Sequence, residues 1–213
     1  MLAGLLTLVA VASIAASTPE SYKQGTNYIP VIPAQPVSVN PGQIEVLEFF
    51  WYGDSHCFAL EPYLESWIKN KPSDVVFAYV PAVLNPQWDL AARAYYTALQ
   101  LNISDKAGAA IYTAIHISHR ELATQADYQS LFTSQLGIDA KLFQSTWNSQ
   151  AVNARISQAM VLAQRYGINK VPAFTVNGKW LTGAGFHLRD AQIMGTVNWL
   201  TQREQALLPS TAP

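Results

Sequence analysis

Cysteine is nearly absent from this chain, which has one such residue, Cys57, among 213. A single cysteine excludes a disulfide bond within the chain. It also excludes any chemistry that cycles one molecule between a dithiol and a disulfide. The remaining possibilities are a free thiol, a bond to another molecule, or a small side chain buried in the core, where free cysteine is common.

Charge is also scarce in this sequence. Charged residues make up 13% of the chain and the formal net charge is −1, so there is no basic excess and no acidic tail. We therefore expect no nucleic-acid partner, because binding to phosphate backbones depends on clustered basic residues. Half of the residues are hydrophobic, which supplies a core for one domain, or for one domain with a large insertion.

The first 17 residues carry no charged side chain. An apolar run is followed by the small residues Ala15, Ala16 and Ser17, a pattern typical of a secretory signal peptide cleaved near Ala16 or Ser17. The basic residue that usually precedes such a run is missing. An uncleaved membrane anchor is the alternative, although about 17 apolar residues is the short limit for crossing a bilayer. We therefore predict an exported protein with a signal peptide over residues 1–17.

An apolar strand, a glycine and a helix follow one another in residues 44–70. The strand is predicted over residues 44–52, at the centre of a sheet, and ends at Gly53. A polar tetrad, Asp54-Ser55-His56-Cys57, comes next and starts a helix predicted over residues 55–70. Free N–H groups and the helix dipole at such a position favour an anion or a nucleophile. The tetrad is therefore the first candidate for a functional site.

The other predicted elements follow from proline placement, apolar periodicity and turn signals. They are an extended arm over 18–42 with an edge strand at 27–32, a second central strand over 74–84, a small helical bundle over 86–147, a long helix over 148–166, two short strands over 173–176 and 179–182 around Asn177-Gly178, and a closing helix over 188–207. This order of elements is that of a mixed α/β domain with a helical cap.

Two segments of the sequence resemble the DsbA family of exported thiol:disulfide oxidoreductases, which are thioredoxin-fold proteins with an inserted helical domain. The first is VLEFFWYG followed by two residues, His56, Cys57 and a helix. The second is VPAFTVNGK, which begins at Val171 and places a Val-Pro pair before a strand and an Asn-Gly hairpin. The resemblance covers nearly all of the chain after residue 17. It implies a thioredoxin-like α/β fold with a mixed sheet, and the periplasm as the location.

The resemblance also divides the chain into parts. Residues 18–84 and 148–213 are expected to form the two parts of the thioredoxin-like domain. Residues 85–147 are expected to form the inserted helical domain.

The tetrad departs from the family's active site, which is Cys-Pro-His-Cys. The nucleophilic first cysteine is replaced by Asp54, and the proline by Ser55, whereas His56 and Cys57 are present. One thiol can neither donate a disulfide nor resolve a mixed one. We therefore expect neither dithiol oxidation nor the membrane quinone-linked oxidase partner that the family implies. Single-thiol exchange with glutathione or with a protein remains open.

The reactivity of Cys57 depends on opposing effects on its pKa. The helix N-terminus and a protonated His56 would lower it, whereas burial and the carboxylate of Asp54 would raise it. We expect a slow thiol. Asp54 is also a favourable N-cap, able to accept a hydrogen bond from the N–H of His56 or Cys57.

The remaining tetrad residues have weaker chemical indications. Ser55 as a nucleophile lacks an evident triad or nucleophile elbow, so a solvated serine in the first helical turn is favoured. His56 is interpreted as an exposed residue that tunes Cys57, with a general-base role as the alternative. Asp54, His56 and Cys57 would diverge on one helical turn, and we expect no metal site and no cofactor.

Two further positions are candidates because of the resemblance. Glu48 lies inside the apolar strand, and in the family a buried glutamate there sits beneath the active-site cysteines and shuttles protons. The alternative is a glutamate that reaches solvent. Val171 and Pro172 are candidate peptide-binding residues. The family's proline is cis and lies against the active site, which would let the Val171 backbone pair with an extended peptide; a plain loop proline is the alternative.

Three functions remain open from the sequence. The first is an exported DsbA-like interchange protein with one active-site cysteine, capable at most of single-thiol exchange. The second is a non-redox protein that binds extended or unfolded exported polypeptides on the same scaffold. The third is a glutathione-binding enzyme similar to kappa-type glutathione transferases, which fits poorly with a signal peptide.

Overall fold

The computed structural model describes residues 22–208. The predicted signal peptide, residues 1–17, lies outside the described residues. Among the described residues, no helix is long and apolar enough to cross a membrane.

The helices and strands alternate much as the sequence predicts. They are β1 (Ile29–Pro30), β2 (Ile44–Phe50), α1 (Ser55–Asn70), β3 (Val75–Pro81), α2 (Asp89–Gln100), α3 (Ser104–Tyr112), α4 (Gln125–Leu136), α5 (Ala140–Trp147), α6 (Gln150–Arg165), β4 (Ala173–Val176), β5 (Trp180–Gly183) and α7 (Asp190–Gln205). A short 3₁₀ turn, Pro86–Trp88, precedes α2, and a π-helical turn, Thr113–Ile117, continues α3.

Five strands form one mixed sheet in the order β1-β5-β4-β2-β3. Strand β2 pairs in parallel with β3 and antiparallel with β4, which confirms that β2 is central. The prediction that residues 74–84 form a second central strand is wrong, because β3 lies at the edge of the sheet described here. Its apolar sequence follows from packing on both faces: Phe77 contacts Trp67 of α1, and Val80, on the opposite face, is buried in the core that also contains residues of α2. Such packing requires apolar side chains but no second neighbouring strand.

The helices α2 to α5 form the predicted insertion between β3 and α6. Helix α2 packs along α6, and the insertion has its own buried centre, which includes Ala94, Ile111, Leu131 and Phe132. That centre is continuous with the buried β2 residues Leu47, Phe49 and Phe50. The thioredoxin-like fold with a helical insertion is therefore confirmed.

The N-terminal arm is held by the β4–β5 hairpin. Strand β1 pairs with β5 and is a shorter version of the edge strand predicted over residues 27–32. Beyond β1, the backbone N–H of Gln35 donates to the carbonyl of Gly178. A side chain at Gly178 would collide with the Gln35 carbonyl, so the Asn177-Gly178 turn is fixed by close approach as well as by its positive φ angles.

Helix α7 anchors the same turn through a buried carboxylate. Glu204 is 1% exposed. Its oxygens accept hydrogen bonds from Asn177 Nδ2 at 2.8 Å, Lys179 Nζ at 2.6 Å and Trp180 Nε1 at 2.6 Å. Burial alone would raise the pKa of Glu204, but the hydrogen bonds from Lys179, Trp180 and Asn177 outweigh burial and lower it. The ionised carboxylate therefore stabilises the link between the hairpin and α7.

We expect Glu204→Gln to lower the free energy of unfolding at pH 7 by about 2–3 kcal/mol, because an amide cannot replace a charged acceptor of three hydrogen bonds. The native pKa lies below the unfolded one, so this stabilisation is present above about pH 4.3 and is lost as the pH falls through the native pKa. Denaturant unfolding between pH 3 and 7 measures it. Glu121→Gln, at an exposed glutamate, is the control, and equal losses in both variants would contradict the role of Glu204.

Candidate functional site

The tetrad begins in a tight turn that follows β2. The carbonyl of Trp51 accepts a hydrogen bond from the N–H of Asp54 at 3.0 Å. Asp54 is the N-cap of α1, with φ −86° and ψ 124°, and its Oδ1 accepts the N–H of Cys57 at 2.8 Å. The capping geometry predicted from the sequence is confirmed, with Cys57 as the donor. Asp54 thus satisfies one of the N–H groups that a helix start leaves free.

Cys57 points into the protein and is 0% exposed. Burial raises the pKa of its thiol well above the usual range, and the charges of Glu48 and Asp54 add to this, while a hydrogen bond with the Trp51 backbone opposes it weakly. The thiolate is the form that attacks disulfides. We therefore expect Cys57 to react slowly, because its side chain is inaccessible and because its thiol stays protonated. The direction of this pKa shift is as predicted, and of the two predicted causes, burial and Asp54, burial is the larger.

Ser55 and His56 occupy the first turn of α1 and are exposed. Neither side chain makes a hydrogen bond to any of residues 22–208. Ser55 therefore has no base within the described part of the chain that could activate it. His56 faces solvent, as expected from its position at the start of the helix.

Glu48 lies on β2, opposite Phe174 of β4 and Tyr79 of β3. It is 0% exposed, and neither carboxylate oxygen has a hydrogen-bond partner within residues 22–208. Burial raises the pKa of Glu48 well above its usual value, with a smaller contribution from the charge of Glu61. The prediction of a buried glutamate is confirmed. Its proton-transfer role remains a prediction.

Glu61, four residues after Cys57 on α1, is the second acid of the site and was not identified from the sequence. Burial and the charge of Glu65 raise its pKa to about 7, against the lowering effect of the Tyr112 and Tyr79 hydroxyls. The Tyr79 hydroxyl donates to Glu61 Oε2 at 3.5 Å. The signal in the sequence is the i,i+4 spacing from Cys57, which places both residues on one face of α1.

The Val171–Pro172 peptide bond is cis, as the family resemblance implies. Because Ala173 pairs with Phe49 near the end of β2, this loop lies at the same end of the sheet as the tetrad. Both residues are buried, and the Pro172 carbonyl accepts the N–H of Ala184 at 2.9 Å. The structure thus brings the two predicted parts of the site, the tetrad and the Val-Pro loop, to one end of the sheet.

The helical insertion contacts the tetrad turn at two places that the sequence did not indicate. The rings of Trp51 and Trp88 stack at 4.3 Å with an interplanar angle of 5°. The Trp51 indole also lies against Gly53, where any Cβ would overlap the ring. His116, in the π-helical turn, lies 2.7 Å from the Tyr52 carbonyl oxygen. No sequence periodicity reports such contacts between distant segments.

The site offers acid groups but few redox or metal-binding possibilities. No cluster of three or more His, Cys, Asp or Glu side chains arranged for a metal ion occurs within residues 22–208. With one thiol in the whole chain, a mixed disulfide at Cys57 could be released only by an external thiol. The arrangement supports a shielded thiol near a buried acid whose pKa is raised, next to a loop at one end of the sheet.

We expect Glu48→Gln to stabilise the protein at pH 7. Because the native pKa of Glu48 is raised, its stabilising contribution is full below the unfolded pKa of about 4.3 and declines as the pH rises toward the native pKa, at about 1.4 kcal/mol per pH unit. Denaturant unfolding from pH 4 to 8 should give a shallower decline for the variant. Glu121→Gln is again the control, and identical pH profiles for wild type and Glu48→Gln would contradict the burial of an ionisable acid.

We expect Gly53→Ala to separate the stacked indoles, since the new methyl group occupies the space of the Trp51 ring. The stack should be worth about 0.5–1.5 kcal/mol of stability. Circular dichroism measures the exciton couplet of the stacked indoles, which should be largely lost. Gly185→Ala is the matched control because a methyl group there meets nothing within 4 Å; an unchanged couplet in Gly53→Ala would exclude the proposed packing.

Comparison with known proteins identifies the family. The DSBA-like thioredoxin domain family matches residues 45–187. The thiol:disulfide interchange protein DsbA of Pseudomonas syringae pv. tomato is 31% identical over 206 residues, which cover 97% of this chain and 95% of that protein. The protein of the same name from Bordetella pertussis is 36% identical over 181 residues, covering 82% of this chain and 84% of its own length.

Solved structures agree with the sequence comparison. The crystal structure of Pseudomonas aeruginosa DsbA is 32% identical, with a TM-score of 0.82, and the match covers 87% of this chain and 96% of that chain. The oxidoreductase DsbA from Xylella fastidiosa is 26% identical with a TM-score of 0.80, covering 86% of this chain and 98% of that chain. The resemblance inferred from the tetrad and the Val-Pro segment is confirmed. The chain belongs to the DSBA-like thioredoxin domain family, and the relatives named here are thiol:disulfide interchange proteins and an oxidoreductase.

Proposed function

We propose that this protein is an exported member of the DsbA family that binds extended, unfolded polypeptides without oxidising them. The observation that carries the proposal is the tetrad itself. A carboxylate stands in the position of the nucleophilic thiol and caps the helix, while the one remaining thiol is 0% exposed. Dithiol oxidation has no second sulfur, and what the scaffold retains is a surface for polypeptides.

The backbone of Val171 supports a polypeptide site. Within residues 22–208, neither its N–H nor its C=O has a hydrogen-bond partner, although the residue is 6% exposed. Unpaired backbone groups at the end of the sheet are available to an extended peptide, since main-chain hydrogen bonds provide affinity for any extended sequence. Val171 and Pro172 are therefore proposed as the peptide-binding residues.

Asp54 would act on such a peptide as a fixed negative charge. In a two-cysteine relative this position holds a sulfur that bonds covalently to the substrate. Here the carboxylate keeps one oxygen on the Cys57 N–H at 2.8 Å and cannot form that bond. Binding is therefore reversible and non-covalent in this proposal, and Ser55 and His56 contribute exposed polar surface next to it.

The proposed location is the periplasm. The support is the uncharged, apolar composition of residues 1–17 with small residues near Ala16, together with membership of a family whose resemblance implies export.

Single-thiol exchange is the second candidate. Cys57 would attack oxidised glutathione, form a Cys57–glutathione disulfide and release one glutathione thiol. The burial of Cys57 and its raised pKa weigh against this, and we expect intact-mass analysis to find the adduct in denaturant but not in the native protein. The transferase-like alternative is weaker still, because Ser55 has no hydrogen-bond partner among the described side chains.

We expect a reduced, unfolded polypeptide to shift the amide NMR signals of Val171, Ala173 and the tetrad, and to leave those of Asn148 and Ser149 unchanged. Because binding is non-covalent, Cys57→Ala should change the dissociation constant by less than about three-fold. A peptide with alternate amides methylated should bind at least about ten-fold more weakly, since it cannot extend the sheet.

Either of two results would contradict the proposal. One is a loss of binding in Cys57→Ala, which would indicate a covalent complex. The other is equal binding of the methylated peptide, which would exclude pairing through the backbone.

A further inference from the structure

The carbonyl of Tyr52 cannot be satisfied within the tetrad turn itself. In a turn closed by the bond from Asp54 N–H to the Trp51 carbonyl, the central carbonyl points away from the chain reversal. Tyr52 is 3% exposed, so an unpaired oxygen there would be costly. Its hydrogen-bond partner is His116 Nε2, at 2.7 Å.

The chemistry of this contact fixes the state of the His116 ring. A carbonyl oxygen only accepts hydrogen bonds, so Nε2 must carry the proton. In the neutral imidazole the lone pair is then on Nδ1. Protonation of Nδ1 leaves the Nε2–H bond intact, so the contact persists whether the ring is neutral or charged.

Stacking fixes the orientation of the same ring. His116 lies parallel to Phe58, with ring centroids 4.7 Å apart and an interplanar angle of 5°. Phe58 follows Cys57 directly, and its N–H donates to the Asp54 carbonyl at 3.1 Å. His116 itself belongs to the π-helical turn Thr113–Ile117, a distortion that is frequent at functional sites. One side chain of the helical insertion therefore contacts the residues on both sides of the tetrad turn.

We infer that His116 is a positioning residue of the tetrad. By donating to the Tyr52 carbonyl while packing on Phe58, it fixes the peptide plane before Gly53. That plane determines where the Asp54 carboxylate meets the Cys57 N–H. The helical insertion thus keeps the tetrad turn closed and Cys57 covered, independently of which polypeptide the protein binds.

Two substitutions at His116 separate the hydrogen bond from the packing. His116→Phe keeps an aromatic ring on Phe58 but removes the donor, whereas His116→Gln places an amide N–H close to the position of Nε2. His119→Gln is the matched control, because His119 is an exposed histidine three residues away. Amide hydrogen exchange of Cys57, whose N–H is bound to Asp54, reports the closure of the turn.

We expect Cys57 N–H exchange to be at least about ten-fold faster in His116→Phe, and within about three-fold of wild type in His116→Gln and His119→Gln. The amide of Leu47 in β2 should exchange at an unchanged rate, since the effect is local. Alkylation of the native Cys57 thiol should accelerate in parallel with its amide exchange. Equal acceleration at Cys57 and Leu47, or no acceleration in His116→Phe, would overturn the inference.

A measurement on the wild-type protein tests the inference even if His116→Phe fails to fold. Nitrogen-15 NMR of the imidazole reports which nitrogen carries the proton. We expect the Nε2–H form at high pH. A neutral ring protonated on Nδ1 would overturn the inference, because it has no proton to donate to Tyr52.

Discussion

The hydrogen bond from the Cys57 N–H to the Asp54 carboxylate determines the structure of the tetrad. It starts α1 at the end of the central strand, and it places a permanent negative charge where two-cysteine relatives carry a reactive sulfur. An N-cap contributes about 1 kcal/mol, so the replacement of that sulfur is compatible with a well-formed helix. The chain thus belongs to the DSBA-like family and carries a single thiol at this position.

The pKa shifts of the buried ionisable groups near the tetrad agree with this account. Cys57 and Glu48 are both fully buried, and each charge would raise the cost of the other, so the pair is most stable when both are neutral. Glu61, whose pKa is raised to about 7, lies four residues after Cys57 on α1. A proton on the thiol is therefore the resting state at neutral pH, which suits a binding surface better than a nucleophile.

Local rules were sufficient for the parts of the fold that depend on short stretches of sequence. The helix over residues 55–70, the Asn177-Gly178 hairpin and the Asp54 cap were predictable because each depends on neighbours within a few residues. The edge position of β3 was not, since an apolar strand covered on both faces has the same composition at the edge as at the centre. The contacts of Trp88 and His116 with the tetrad turn were missed because they join segments far apart in the sequence.

The central claim is that one substitution, Asp54 for the nucleophilic cysteine, separates binding from oxidation on this scaffold. The most direct measurement is the rate at which a reduced two-cysteine peptide is oxidised, with oxidised glutathione as the only oxidant, by the wild-type protein and by Asp54→Cys. We predict no acceleration over the uncatalysed rate by the wild type, and catalysis by Asp54→Cys, which restores a dithiol. Acceleration by the wild-type protein would contradict the account.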